Sequence, residues 1–482
     1  MPHRAGTVLR FMSISIQPRS IGQRRPAALR ATSLPILPAL LVLATMLPVG
    51  LNIRPGGLLL TSPRIVLLAS VPFIVSRMAR KFAGEGFRVV PCDAFVLAAS
   101  FWMFLSICVT QGVDRAIIGS SVMILELCGG YFLFRSSLNQ PGEAVAVARF
   151  LTYVIAADGF LSVLDVLTQR AFIQDIVDSI TGYSQVWLFD YRHGVIRAPG
   201  MQEHPILLGT VCAFGDLLSL ALMRGVEQVA LVGGCLIGLI TSDSSAPTAG
   251  FVLGCGCLAY HRALAGFRWR WELLIMSGGL GLAALFAVHP APLSFLIEHT
   301  TSNPADGYYR MLIWTLVGPL VLASPLFGLG LESDWAERFG AVNTIDSFWL
   351  CSAANFGIPA AILFALVLLT ACLRPVRRLG AMNEADLSLG RVLGIIVFLY
   401  IFIGFTVHFW GCAWILIGIF AAMRVHLGEI SRSQPCGAVA QRARMISPPR
   451  LRDGVRGFED APPPTQRRDY TSVPRSGMYR IR

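Results

Sequence analysis

Residues 311–331, MLIWTLVGPLVLASPLFGLGL, decide how this chain folds, because the run is apolar enough to cross a membrane while crossing would misplace the charges after it. A hydrocarbon core about 30 Å thick needs about 20 mostly apolar residues in helical form. If 311–331 crossed, the cluster Arg374-Pro375-Val376-Arg377-Arg378 would lie on the opposite side from the other basic connections. Short loops rich in Lys and Arg stay in the cytoplasm. The run is therefore expected to be a half-inserted or surface-lying helix, broken at Gly318-Pro319 and Ser324-Pro325, where proline removes a backbone donor.

Working outward, apolar runs at 34–51, 58–76, 93–110, 116–134, 144–166, 205–223, 227–241, 248–263, 272–288, 349–372, 391–408 and 411–424 read as about twelve transmembrane helices. Alternating their connections puts Arg77, Arg80, Lys81, Arg88, Arg135, Arg224, Arg262, Arg268, Arg270 and the 374–378 cluster on one side, with both tails. That side is the cytoplasm by the same rule. The two long loops, 167–204 and 289–348, then face outward. The expected architecture is an all-α polytopic membrane protein: a basic N-terminal tail at 1–32, a membrane domain at 33–424 and a disordered, proline-interrupted basic C-terminal tail at 425–482.

Composition agrees with this class: 54% of residues are hydrophobic, only 14% are charged, and the mean hydropathy is +0.62. The net charge of +12 belongs to the tails. Residues 1–32 hold six Arg and no acid, and 425–482 hold eleven Arg against five acids, so the membrane domain is neutral. Basic tails beside a membrane domain point to anionic lipid rather than nucleic acid as the partner. The Cys residues fall mainly inside apolar runs and none lies in an outer loop, which argues against a disulfide framework. Arg64, Glu126, Arg149, Asp158, Asp165 and Asp216 stand within the spans, where each costs about 2.5–3.5 kcal/mol unless paired or wetted.

The chemistry-bearing residues concentrate in the outer loops. The first ends in Arg197-Ala-Pro-Gly200-Met-Gln-Glu203-His204-Pro205-Ile-Leu-Leu-Gly209. The second carries Arg310-Met-Leu-Ile-Trp314, then Pro325-Leu326-Phe327-Gly328-Leu329-Gly330, then Asp346-Ser347 and, after nine residues, Gly357. In order and loop placement this arrangement resembles the O-antigen ligase and polysaccharide polymerase superfamily of bacterial inner-membrane glycosyltransferases. It covers roughly residues 190–425 by motif and the rest by topology. One departure matters: the ligases carry a His followed by Asn, Ser or Gln where this chain has Asp346-Ser347.

The resemblance implies a glycosyltransferase C-like membrane fold and transfer from an undecaprenyl-diphosphate-linked glycan to a glycan or lipid-linked acceptor at the periplasmic face, with neither metal nor cofactor. It also implies both termini in the cytoplasm and other polysaccharide assembly proteins as partners. Polymerisation of lipid-linked repeat units is the first reading, because the histidine is replaced; ligation to lipid A–core is the second. A multi-span transporter or flippase is the rival of another class, although such proteins place their sites at the midplane of repeated halves and no halves are evident here.

A departing diphosphate calls for fixed cations, and the planar fork of arginine suits phosphate oxygens. Arg197 and Arg310, with Arg192 in reserve, are the candidates. Arg197 has a structural alternative as an interfacial anchor. A helix starting near Met311 would place Arg310 where a cation opposes the helix dipole, which suggests another partner, although stacking among Tyr308, Tyr309 and Trp314 is an alternative. For the general base the candidates are Asp346, Glu203 and His204. Asp346 also fits an N-cap before the helix expected at Ser347, and His204 fits a structural role before Pro205. Glu332-Ser333-Asp334 is an acid-x-acid pair too common to assign a metal.

Overall fold

The computed structural model describes residues 33–84, 88–183, 191–292, 294–295, 304–331, 344–372, 376 and 382–432. The first tail, the chain from residue 433 onward, Glu332-Ser333-Asp334 and Arg374, Arg377 and Arg378 lie outside these residues.

The described chain is almost entirely helical. Its helices are α1 Ile36–Met46, α2 Ser62–Ala83, α3 Pro91–Gln111, α4 Val113–Ser137, α5 Glu143–Thr168, α6 Phe172–Thr181, α7 Pro205–Leu222 and α8 Gly225–Thr241. They continue as α9 Ser245–Ala263, α10 Arg270–Val288, α11 Pro304–Ala323, α12 Phe348–Phe356, α13 Ile358–Cys372, α14 Glu384–Ile403 and α15 Cys412–Ile430. Each apolar run read from the sequence lies on a helix, the tenth being divided between α12 and α13. Seven helices, α3, α4, α5, α7, α10, α14 and α15, are long and apolar enough to cross a membrane.

Lipid is the solvent this surface requires. No residue of α10 is buried, and Ile275, Met276 and Leu280 are each 72% exposed. Water would penalise such a helix on every face, whereas hydrocarbon does not. The core lies instead among α3, α4, α5, α7, α14 and α15, where Tyr131, Phe214, Tyr400, Trp414 and Phe420 are fully buried.

Buried charges mark one end of the bundle. Arg135, near the end of α4, donates from Nη1 and Nη2 to both oxygens of Glu429 at 2.6 Å each and from Nε to Asp93 at 3.1 Å. Tyr131 also donates to Asp93, and Lys81 donates to the Arg135 carbonyl. A bidentate carboxylate pair is the arrangement that offsets the desolvation of a buried guanidinium. The same end gathers the start of α5 and α14, where Gly142 donates to Asp386, and His426 of α15, which lies 3.3 Å from the Gln140 carbonyl.

Four expectations about element bounds are corrected. The 311–331 run is one helix from Pro304 that continues through Pro319 and breaks only at Ser324-Pro325. An internal proline costs about 3 kcal/mol, offset here by a separate apolar cluster in which Ile313, Val317 and Val321 of α11 pack with Ile345, Leu350 and Ala354. Because α11 starts at Pro304, Arg310 lies past its first turn, and the dipole argument for it lapses. The 391–408 run stops at Ile403, and residues 404–411 form a loop. Finally, α15 runs on to Ile430 with Val425, His426 and Leu427 buried, so no tail begins at residue 425.

Candidate functional site

The segment 197–204 is locked into the end of the bundle opposite Arg135. A two-residue turn with positive φ at His193 and Gly194 joins Tyr191-Arg192 to Val195-Ile196 as a hairpin. Behind it, Arg197 is 5% exposed and donates from Nε to the Ser242 carbonyl at 3.1 Å and from Nη2 to Ser244 Oγ at 2.6 Å. Arg192 donates to the Asp243 carbonyl at 3.3 Å. Both arginines therefore tie the first outer loop to the turn between α8 and α9. Arg197 is a buried strut, not an interfacial anchor.

Two intramembrane acids of α5 complete the lock. Asp158 accepts from the Met201 amide at 2.7 Å and from Gln202 Nε2 at 2.9 Å. Asp165 accepts from the Gly200 amide at 2.8 Å and the Phe172 amide at 2.9 Å. Gln174 of α6 adds donations to the Gly200 and Gln202 carbonyls. These are the partners that charged residues in spans require. Asp216 is different: neither carboxylate oxygen has a partner among the described residues.

Gly200 sits at φ +60, and a Cβ there would lie 2.5 Å from Asp158 Oδ1. Gly200→Ala combines backbone strain with displacement of that carboxylate, and we expect it to cost about 1–3 kcal/mol. Thermal unfolding of the purified protein in detergent checks this. An unchanged midpoint would contradict the lock.

The lock presents Glu203 and His204 at the head of α7. His204 Nδ1 accepts from the Ile206 amide at 3.1 Å and so caps the helix. An accepting Nδ1 places the neutral ring's proton on Nε2, which removes that lone pair from service as a base. The imidazole also meets the Trp410 indole edge-on, with ring centroids 5.4 Å apart. Glu203 instead lines a small open cleft of about 30 Å³ with Thr45, Leu47, Arg64, Glu126, Leu207 and Gly411. Burial pushes the Glu203 carboxyl up, and the Arg64 charge and the Trp410 indole, which pull it down, only partly offset that.

Arg64 is the cation of this cleft. Its Nε donates to Glu126 Oε1 at 2.9 Å and its Nη1 to the Leu59 carbonyl at 3.0 Å. The pair is largely withdrawn from solvent, with Glu126 4% exposed. In the sequence both are costly intramembrane charges, and Arg64 stands toward the outer end of its span, near the expected cavity, with a structural ion pair as the alternative. Arg64 also carried a sharper signal: it stands in the first turn of α2, where a cation opposes the helix dipole.

The loop at 404–411 joins this cleft to the second motif. Phe348 at the start of α12 donates to the Gly404 and Val407 carbonyls, and Ser347 Oγ lies 3.3 Å from the Gly404 oxygen. His408 of the loop lies 4.0 Å from Cys351 Sγ and stacks on Trp410 with centroids 5.7 Å apart. Burial pushes the His408 imidazole down to about 4, so it is neutral at physiological pH. The cap of α12 is Ser347, whose hydroxyl accepts from the Leu350 amide. Asp346 is therefore not the cap; it accepts from Thr344 Oγ1 at 2.8 Å. Arg310 is buried on α11, one turn before Ile313, which packs in the cluster containing Ile345.

The structure thus brings Glu203 to Arg64 and Glu126 with His204 beside it, joins the Ser347-Phe348 corner next to Asp346 to the loop 404–411, and holds Arg192 and Arg197 against the turn between α8 and α9. Arg64, Glu126, His408 and Trp410 were not among the site residues read from the sequence. Fold and site define a helical membrane protein with a charged cleft at one end of its bundle. The chain matches no protein-family model and has no significant match among curated proteins.

Proposed function

We propose that the protein is a bacterial inner-membrane glycosyltransferase that polymerises undecaprenyl-diphosphate-linked repeat units at the periplasmic face. The observation that supports this reading is the cleft in which the Glu203 carboxyl, raised by burial, stands beside the Arg64–Glu126 pair. It lies at the end of the bundle away from Lys81 and Arg135, the end that the positive-inside reading of the sequence takes as external.

Glu203 in its ionised form takes the proton of the acceptor hydroxyl as the oxygen attacks the anomeric carbon of the donor. The bond from that carbon to the diphosphate oxygen breaks, and the polyprenyl diphosphate leaves with the electron pair. Arg64 stabilises the negative charge on the leaving group. Arg310, on the second loop motif, is a further cation for the diphosphate, and Asp346 is a second carboxylate for the acceptor. Leu47, Val49 and Leu207 give the cleft an apolar wall for the lipid end of the donor.

Gene deletion tests the polymerase assignment in the producing cell. A polymerase mutant leaves single repeat units, whereas accumulation of full-length lipid-linked polymer would make the protein a ligase.

A further inference from the structure

We propose that Arg424 of α15 holds the phosphate of an acidic phospholipid from the cytoplasmic leaflet. Arg424 is 8% exposed, yet among the described residues its Nε and Nη1 have no hydrogen-bond partner. Among those residues the polar side chain against it is the thiol of Cys372, at the end of α13, and a thiol is a weak acceptor. Two other guanidiniums near the bundle ends are paired with carboxylates: Arg135 with Asp93 and Glu429, Arg64 with Glu126. Leaving a buried cation unpaired costs several kcal/mol, so an anion is the complement this position lacks.

The position favours a lipid over a soluble anion. Arg424 stands six positions before the end of α15 at Ile430, about 9 Å along the axis at 1.5 Å per residue. That is below the helix end that carries Glu429, Arg135 and Lys81. Gly394 of α14 faces it: a Cβ there would meet only Arg424 Nε, at 4.0 Å. The glycine therefore leaves room for about one methyl group between α14 and the guanidinium. A lipid phosphodiester anchored by its own acyl chains reaches such a depth with fewer waters to shed than inorganic phosphate, and arginine binds its two free oxygens as a fork.

The test uses the full-length protein in nanodiscs of phosphatidylcholine containing phosphatidylglycerol, with retained lipid read by native mass spectrometry. The wild type should keep a phosphatidylglycerol adduct in preference to phosphatidylcholine. Its occupancy should fall about tenfold in Arg424→Met and less in Arg424→Lys, which keeps the charge without the fork, and should be unchanged in Arg391→Ala, which removes an exposed arginine of α14. If Arg424→Met does not assemble, the wild-type lipid preference and the Lys variant carry the test alone. No preference for the acidic lipid, full retention in Arg424→Met, or displacement of the adduct by millimolar inorganic phosphate would each overturn the proposal.

Discussion

Glu203→Gln should abolish glycan transfer, by roughly 10²- to 10⁴-fold, in a protein that still inserts and folds. The amide keeps the shape of the side chain at the head of α7 and cannot take a proton. The pH dependence should identify the group. A base works ionised, and burial raises this carboxyl, so the acidic limb of the rate profile should lie above the ordinary glutamate value of about 4.3, with activity increasing as pH rises through it.

Stability should move the other way. A carboxyl whose pKa is raised on folding contributes stability that is complete at low pH and is lost as pH rises through the folded-state value. Glu203→Gln cannot ionise, so its melting temperature at neutral pH should equal or exceed that of the wild type. A variant both inactive and destabilised would make Glu203 a structural group.

Arg64→Ala should be the most damaging single change in the cleft. It leaves Glu126, 4% exposed, without its counter-charge, and breaking one side of a buried pair costs about 3–5 kcal/mol. That loss alone would hide a functional role. The double variant Arg64→Met/Glu126→Leu separates the two, because exchanging a buried pair for apolar groups of similar volume is often neutral or stabilising. We expect it to recover the melting temperature and remain inactive in transfer. Recovery of activity with stability would show that Arg64 serves the fold and not the diphosphate.

The fold was legible where hydrophobicity alone decides it. Apolar runs such as 144–166 and 205–223 fall on α5 and α7 because a helix is the structure that satisfies its own backbone in lipid. Boundaries failed where tertiary contacts override local signals. Pro319 was read as a break, yet the packing of α11 carries the helix through it. Besides its place among the candidate bases, Asp346 fits an N-cap by position, yet the hydroxyl of Ser347 takes that place.

The site was half legible for the same reason. Glu203 and His204 belonged to a recognisable segment, and their placement depends on Asp158 and Asp165, which the sequence marked as charges in need of partners. No local pattern indicated that Arg64, from the start of α2, and Trp410, from the last loop, would meet Glu203. Such long-range meetings are set by helix packing. Arg197 shows that a motif arginine also has a structural place, donating to Ser242 and Ser244.

Turnover by the purified protein in liposomes supplied with a defined undecaprenyl-diphosphate-linked oligosaccharide decides whether this is a glycosyltransferase. New glycosidic bonds and release of undecaprenyl diphosphate are expected with the wild type, and neither with Glu203→Gln. Movement of the lipid-linked sugar across the bilayer without new bonds would contradict that assignment and make the protein a transporter.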